Sequence, residues 1–379
     1  MKRNLVFLAA VGMTIILAGT DAACSRANPP AEDQSGLERF LITRADLTLE
    51  YAHPPGERRL SFRNGILAPE EWRLQARKKL AELIGVNDPR PGRVVELRRT
   101  VHQGVQIHAL VMEVGENLTI PAYLLVPARL EPGRSAVMAI HGHGSVEPCI
   151  GLRDDYHHFF ALELAKDGHV VLAPELRGFS TLNDLAADVE INRLDYWIDT
   201  CGQFTLVTDH FLYGDTVIGA TVEDLLRWEE WLAETRGVSE IDVAGISYGG
   251  DLSIIYPVFS RRVRKIFASG TMGSFSVIFQ RCYNAPAHCI PDILGWMDRS
   301  DIAGLNAPRP IVVHYGELDT PSPDNAAASY NETVAPAMEE LRDIYRAFGA
   351  EEAVRLLVTE GSHHEMDIPA LLDFLKKRP

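Results

Sequence analysis

Residues 241–250 read Ile-Asp-Val-Ala-Gly-Ile-Ser-Tyr-Gly-Gly. A short β-branched run leads straight into Gly245-Ile246-Ser247-Tyr248-Gly249, a serine between two glycines at G-x-S-x-G spacing. A serine on a sharp strand-to-helix turn sits in strained backbone, and side chains two residues to either side would collide. The turn lifts the hydroxyl clear of the sheet, where a base and a substrate can both reach it. The pattern gains meaning from its setting. A strand precedes it, a helix-compatible run follows it, and acid and histidine candidates lie downstream in the order such a turn requires.

A serine hydroxyl becomes a nucleophile only when a neighbouring base takes its proton. The best candidates lie in Glu360-Gly361-Ser362-His363-His364-Glu365. His363 is the expected base, because Gly-x-His makes a short loop that folds back over the turn; His364 is the alternative. The imidazole needs a carboxylate to fix its tautomer and stabilise its cation. Asp319, in Tyr315-Gly316-Glu317-Leu318-Asp319-Thr320, is expected to supply it, with Glu317 a solvated loop charge. The tetrahedral oxyanion needs backbone N–H donors. Tyr248 offers one. The loop His141-Gly142-His143-Gly144-Ser145 offers the other, assigned to His143. Reading His141 and His143 as metal ligands competes, but no acidic ligand cluster adjoins them, so neither a metal nor a cofactor is expected. Glu175 and Arg177, in Pro174-Glu175-Leu176-Arg177-Gly178-Phe179, are expected to pair and support the oxyanion loop. The segment 279–296, with Arg281, Tyr283, His288 and Trp296, has the position of a pocket wall, with ordinary packing the simpler reading of any one residue.

The elements that must hold these groups follow from periodicity. Residues 68–85 read as a helix with proline at its start and glycine at its end. Residues 94–101, 105–113 and 118–126 read as a meander of strands. From residue 135 onward, short apolar runs alternate with helical patterns: strands at 137–140, 170–173, 241–244, 263–269, 310–315 and 353–359, helices at 158–167, 218–234, 251–259, 335–348 and 368–377. Such alternation indicates an α/β protein with a mostly parallel central sheet and helices on both faces. Ligands in such sheets bind beyond the carboxyl ends of the strands. Every candidate above follows a strand end.

The chain has 379 residues, 46% of them hydrophobic and 23% charged, as in an ordinary globular protein. Its net charge of −15 argues against nucleic acid or anionic membrane as a partner, because phosphate binding needs clustered Lys and Arg. Residues 1–23 read as a signal peptide: Lys2 and Arg3, an apolar stretch from Leu5 to Ala18, then small residues. Export to the periplasm or beyond is expected. Cys24 is a candidate lipid anchor, although Asp21 occupies a position where an apolar residue is wanted. Residues 24–90 read as a polar tether and helical extension, and 91–379 as the catalytic domain. Cys149, Cys201, Cys282 and Cys289 remain, and an exported chain with four cysteines is expected to form at least one bridge, free buried thiols being the other reading.

The elbow, the His-Gly-His-Gly loop, Pro174-Glu175-Leu176-Arg177-Gly178-Phe179 and Ala307-Pro308-Arg309-Pro310 together resemble the α/β-hydrolase superfamily, over about residues 91–379. Within it the chain looks like the branch of dienelactone hydrolases and bacterial acetyl xylan esterases, although dienelactone hydrolases carry cysteine where this chain has Ser247. The resemblance implies the nucleophile, acid and base roles for Ser247, Asp319 and His363, and the oxyanion role for His143 and Tyr248. It implies an exported serine esterase acting on short-acyl esters such as acetylated carbohydrates through an acyl-enzyme. A serine peptidase or amidase, and a non-catalytic binding protein of the same fold, are the competing readings.

Overall fold

The computed structural model describes residues 58–116, 118–130, 135–179, 203–277, 286–320 and 331–377. The expected signal peptide, Cys24, most of the tether, Cys201, Cys282, Arg281 and Tyr283 lie outside the described residues. Residues 48–379 make one compact unit.

Among the described residues nine strands form one sheet: β1 Val94–His102, β2 Val105–Gly115, β3 Leu118–Val126, β4 Ala136–Ile140, β5 Val171–Pro174, β6 Ile241–Ile246, β7 Val263–Ser269, β8 Ile311–Gly316 and β9 Val354–Thr359. Their order is β1-β2-β3-β5-β4-β6-β7-β8-β9. The β1, β2, β3 meander is antiparallel, as is its junction with β5; every pair from β5 to β9 is parallel. Composition decides which strands go where. The runs in β4, β6 and β8 are apolar on both sides apart from Asp242 and His314, and all of their residues are buried. In β1 polar residues recur, and most of that edge strand is exposed or half-exposed.

Side chains of one strand alternate between two cores. In β4, Val137 and Ala139 join Phe160, Leu164, Leu371 and Phe374 on one face. Met138 and Ile140 join Val222, Leu225, Leu252, Ile255 and Leu341 on the other. Helices α2 Phe160–Lys166 and α8 Ile368–Lys376 therefore cover the first face. Helices α1 Pro69–Ile84, α4 Val217–Arg236, α5 Tyr248–Phe259 and α7 Val334–Ala347 cover the second. Two helices that the periodicity did not resolve are α3 Gln203–Tyr213 and the short α6 Arg299–Gly304. The helix expected at 158–167 begins two residues late, because His158 and Phe159 take positive φ of 49° and 58°.

The chain passes from β4 to β5 on one side, then returns to lay β6 on the other side of β4. Strand order thus reverses at β4, and the loops after β4 and β6 open apart at their carboxyl ends. Those loops carry His143 and Ser247.

Candidate active site

Ser247 ends β6 and caps α5 with φ 60° and ψ −121°. A non-glycine residue in that region costs about 1–3 kcal/mol, which the surrounding packing must offset. Two hydrogen bonds hold it: its N–H donates to the Ser269 carbonyl at 2.8 Å, and its carbonyl accepts from the Asp251 N–H at 3.1 Å. The flanking glycines are obligatory. A Cβ at Gly245 would lie 2.2 Å from the Gly249 carbonyl oxygen, and one at Gly249 would lie 2.1 Å from that of Ile140. The turn is tight enough for the two strands and the helix start to touch through backbone, and the Ser247 side chain is left half-exposed.

Asp319 follows β8 and is buried. Its Oδ2 lies 2.8 Å from Nδ1 of His364. The imidazole at the carboxylate is thus that of the alternative, His364, and not that of the expected His363, which is exposed one residue before it. The loop after β9 lies across the end of β8, where the Leu318 N–H donates to the Ser362 carbonyl at 2.8 Å. Glu365 then accepts from the Ser362 hydroxyl at 2.8 Å and the His363 N–H at 3.2 Å. Side chain 364, not 363, turns inward from that backbone. Gly270 makes room for it, since a Cβ there would lie 2.5 Å from His364 Cε1. The Ser247 N–H bonds to Ser269 and the His364 ring covers Gly270, so both residues abut the same two-residue stretch at the end of β7. A carboxylate only accepts, so Nδ1 of His364 carries a proton toward Asp319.

The loop after β4 is pinned at each peptide. The Gly142 N–H donates to His157 Nε2 at 2.8 Å, and His157 Nδ1 lies 2.6 Å from Asp155 Oδ1. His141 Nδ1 donates to the Gly142 carbonyl at 2.8 Å, while its Nε2 accepts from the Leu176 N–H at 3.0 Å. A trans peptide is planar, so fixing the Gly142 carbonyl also fixes the direction of the His143 N–H on the opposite side. Neither that N–H nor that of Tyr248 meets a protein acceptor among the described residues. Backbone donors of this kind can receive a developing oxyanion. The Tyr156 hydroxyl donates to the His143 carbonyl at 3.0 Å.

Glu175 supports this loop, accepting from the Val146 N–H at 3.1 Å and standing 3.3 Å from His141 Nε2. Its expected partner goes elsewhere: Arg177 makes a two-pronged contact with Asp224 at 2.6 and 2.9 Å. Glu317 is exposed and accepts from the Gly361 N–H at 2.9 Å. Cys149 is a buried thiol without a disulfide, its pKa pushed well up by that burial.

A second imidazole–carboxylate pair stands on the other flank of the elbow. Asp251, in the first turn of α5, contacts His288 Nδ1, the Thr271 hydroxyl, and Arg299 through Nε at 2.8 Å and Nη2 at 3.0 Å. Burial alone would raise its pKa, yet Arg299 and His288 hold it well below the ordinary carboxylate range. His288 stacks on His143 with ring centroids 5.6 Å apart, and Phe179 and Tyr248 close the same wall. Burial, then the charge of neighbouring His288, bring the His143 pKa down to about 3, so its ring is neutral. His288 was read in sequence only as one residue of a pocket wall. Asp251 escaped notice, although a lone acid in the apolar run Leu252-Ser253-Ile254-Ile255 was the available signal, since a buried charge must be paired.

Comparison with solved structures agrees with this architecture. The chain superposes on a protein from Bacteroides fragilis assigned as an acetyl xylan esterase with a TM-score of 0.66 at 16% identity, covering 84% of this chain and 82% of that one. It superposes on a glucuronoyl esterase from Solibacter usitatus with a TM-score of 0.55 at 11% identity, covering 86% and 98%. This chain has the α/β-hydrolase fold. A promiscuous esterase from a marine bacterial metagenome also superposes, with a TM-score of 0.52 at 12% identity over 81% of this chain and 90% of that one. No family model matches the sequence, and no curated protein is detectably similar to it. Among the described residues no helix is long and apolar enough to cross a membrane.

Proposed function

We propose that this α/β-hydrolase-fold chain is a serine hydrolase of carboxylic esters. The observation that carries the reading is the Asp319–His364 hydrogen bond beside a serine in left-handed backbone. His364 Nε2 takes the Ser247 proton as the hydroxyl oxygen attacks the ester carbonyl. The His143 and Tyr248 N–H groups receive the oxyanion. Asp319 stabilises the imidazolium, which gives its proton to the departing alcohol and leaves an acyl-serine. A water molecule, deprotonated by His364, then attacks the acyl carbon and releases the acid.

Carbohydrate esters with short acyl groups are the proposed substrates. The proteins that share the fold include ones named acetyl xylan and glucuronoyl esterases, and the amino-terminal basic and apolar pattern suits export toward such polymers. Fluorophosphonate labelling together with hydrolysis of acetylated xylo-oligosaccharides tests both parts. The unsubstituted protein should label and deacetylate. Ser247→Ala should lose labelling and several orders of magnitude of kcat, keeping only the contribution of binding and the oxyanion donors. Labelling that survives Ser247→Ala would remove the nucleophile assignment. Preference for octanoyl over acetyl esters would remove the substrate assignment alone.

A further inference from the structure

Tyr156 adjoins the serine, the His143 loop and the His364 ring. It lies in the long connection between β4 and α2. Its hydroxyl donates to the His143 carbonyl at 3.0 Å. The Ser247 side chain is the other polar neighbour of that hydroxyl. Its ring lies 5.5 Å from that of His364 and 4.0 Å from that of His157, centroid to centroid. Its backbone carbonyl accepts from the Met366 N–H at 2.9 Å, which ties it to the loop carrying the base. A Cβ on residue 142 would lie 2.3 Å from the phenol oxygen and 2.9 Å from Ser247 Cβ, so the phenol enters the site only because Gly142 leaves the space. Burial, then the nearby Asp155 charge, push the Tyr156 pKa well up, so the group stays protonated.

We propose that Tyr156 is a positioning residue for the hydrolysis, its hydroxyl bridging the Ser247 side chain and the His143 carbonyl so that the nucleophile and the oxyanion donor share one frame. The inference rests on the Ser247 reading. A phenol has a single proton. Here it is directed to the His143 carbonyl, which leaves its lone pairs toward the Ser247 hydroxyl. Fixing that carbonyl orients the Gly144 side of the oxyanion loop, and the lone pairs hold the Ser247 hydroxyl in the mouth of the site until substrate draws it to His364. The bridge fails if the hydroxyl is removed, and it also fails if the phenol ionises, because a phenolate has nothing to donate to a carbonyl.

The test uses the full chain with a fluorophosphonate probe and 4-nitrophenyl acetate. Tyr156→Phe should lower both the labelling rate constant and kcat by on the order of 10- to 100-fold, the equivalent of one or two buried hydrogen bonds, with KM changed far less. A ring-fluorinated tyrosine placed at 156 keeps the hydroxyl and acidifies it. That protein should recover activity at neutral pH and lose it at alkaline pH, with an alkaline limb that the unsubstituted protein lacks over the same range. A residue that only packs would give neither the kcat loss at constant KM nor the new limb. Tyr156→Phe with unchanged or faster labelling, or a fluorotyrosine protein with an unchanged pH profile, would overturn the inference and leave the Ser247 reading intact. Absence of labelling in the unsubstituted protein would overturn both. Should Tyr156→Phe fail to fold, the fluorotyrosine profile decides alone.

Discussion

Two imidazole–carboxylate pairs flank the elbow serine, and their environments differ. His364 is 18% exposed at its side chain, and its carboxylate, Asp319, is buried beside it. His288 is 6% exposed, and its carboxylate, Asp251, is already neutralised by the two-pronged Arg299 contact. A general base must gain and lose a proton within each turnover, so it needs access to water and substrate. The His364 pair is the more open of the two. The second is a buried network that joins α5, α6 and the segment around His288, and it sets the wall against which His143 stacks. Similar residue types thus stand in two settings, one pair more open to solvent and the other locked against a buried arginine.

Exchanging one atom in each carboxylate sharpens the contrast. Asp319→Asn removes the acceptor that fixes the His364 tautomer, and kcat should fall on the order of 10³- to 10⁴-fold while urea stability changes little. Asp251→Asn leaves Arg299 buried without its counter-charge, and a stability loss of about 3–5 kcal/mol is expected from urea unfolding, with kcat of the folded fraction reduced far less than in Asp319→Asn. A reversed pattern, with Asp251→Asn abolishing turnover in a stable protein, would exchange the roles of the two pairs.

A smaller effect should appear in the pH dependence of stability. His143 is held neutral with a pKa of about 3, and burial brings His314 down to about 4, whereas an unfolded histidine titrates near 6.5. Between these values the unfolded chain binds more protons than the native one. Stability is therefore full above about pH 6.5 and is lost as pH falls toward 4. The urea midpoint should drop over that interval, and His143→Phe should flatten the drop. An equally steep fall in His143→Phe would show that the ring is not held neutral.

Much of the site could be read from the residues because strand ends were legible. Ser247, Asp319, His143 and Tyr248 all sit directly after apolar runs whose periodicity marks β4, β6 and β8, and a parallel sheet gathers such loops at one end. The choice between His363 and His364 was not legible, because neighbouring residues in a loop share every local signal. What places His364 rather than His363 at Asp319 is the Ser362 carbonyl meeting the Leu318 N–H and Glu365 drawing back the His363 N–H, contacts that lie outside the pair. The Arg177 partner was missed for a similar reason. Asp224 lies on α4, 47 residues away, and only the tertiary fold brings it closer to Arg177 than Glu175. Tyr156 carried no sequence signal, since its role depends on the space left by Gly142.

The register of the base is the point on which the account stands most exposed. The direct measurement is kcat for 4-nitrophenyl acetate in His364→Ala and His363→Ala, each checked for folding. His364→Ala should lose three orders of magnitude or more, as expected when a triad base is removed, and His363→Ala should stay within about threefold of the unsubstituted protein. Near-normal turnover in His364→Ala, with His363→Ala silenced, would contradict the account.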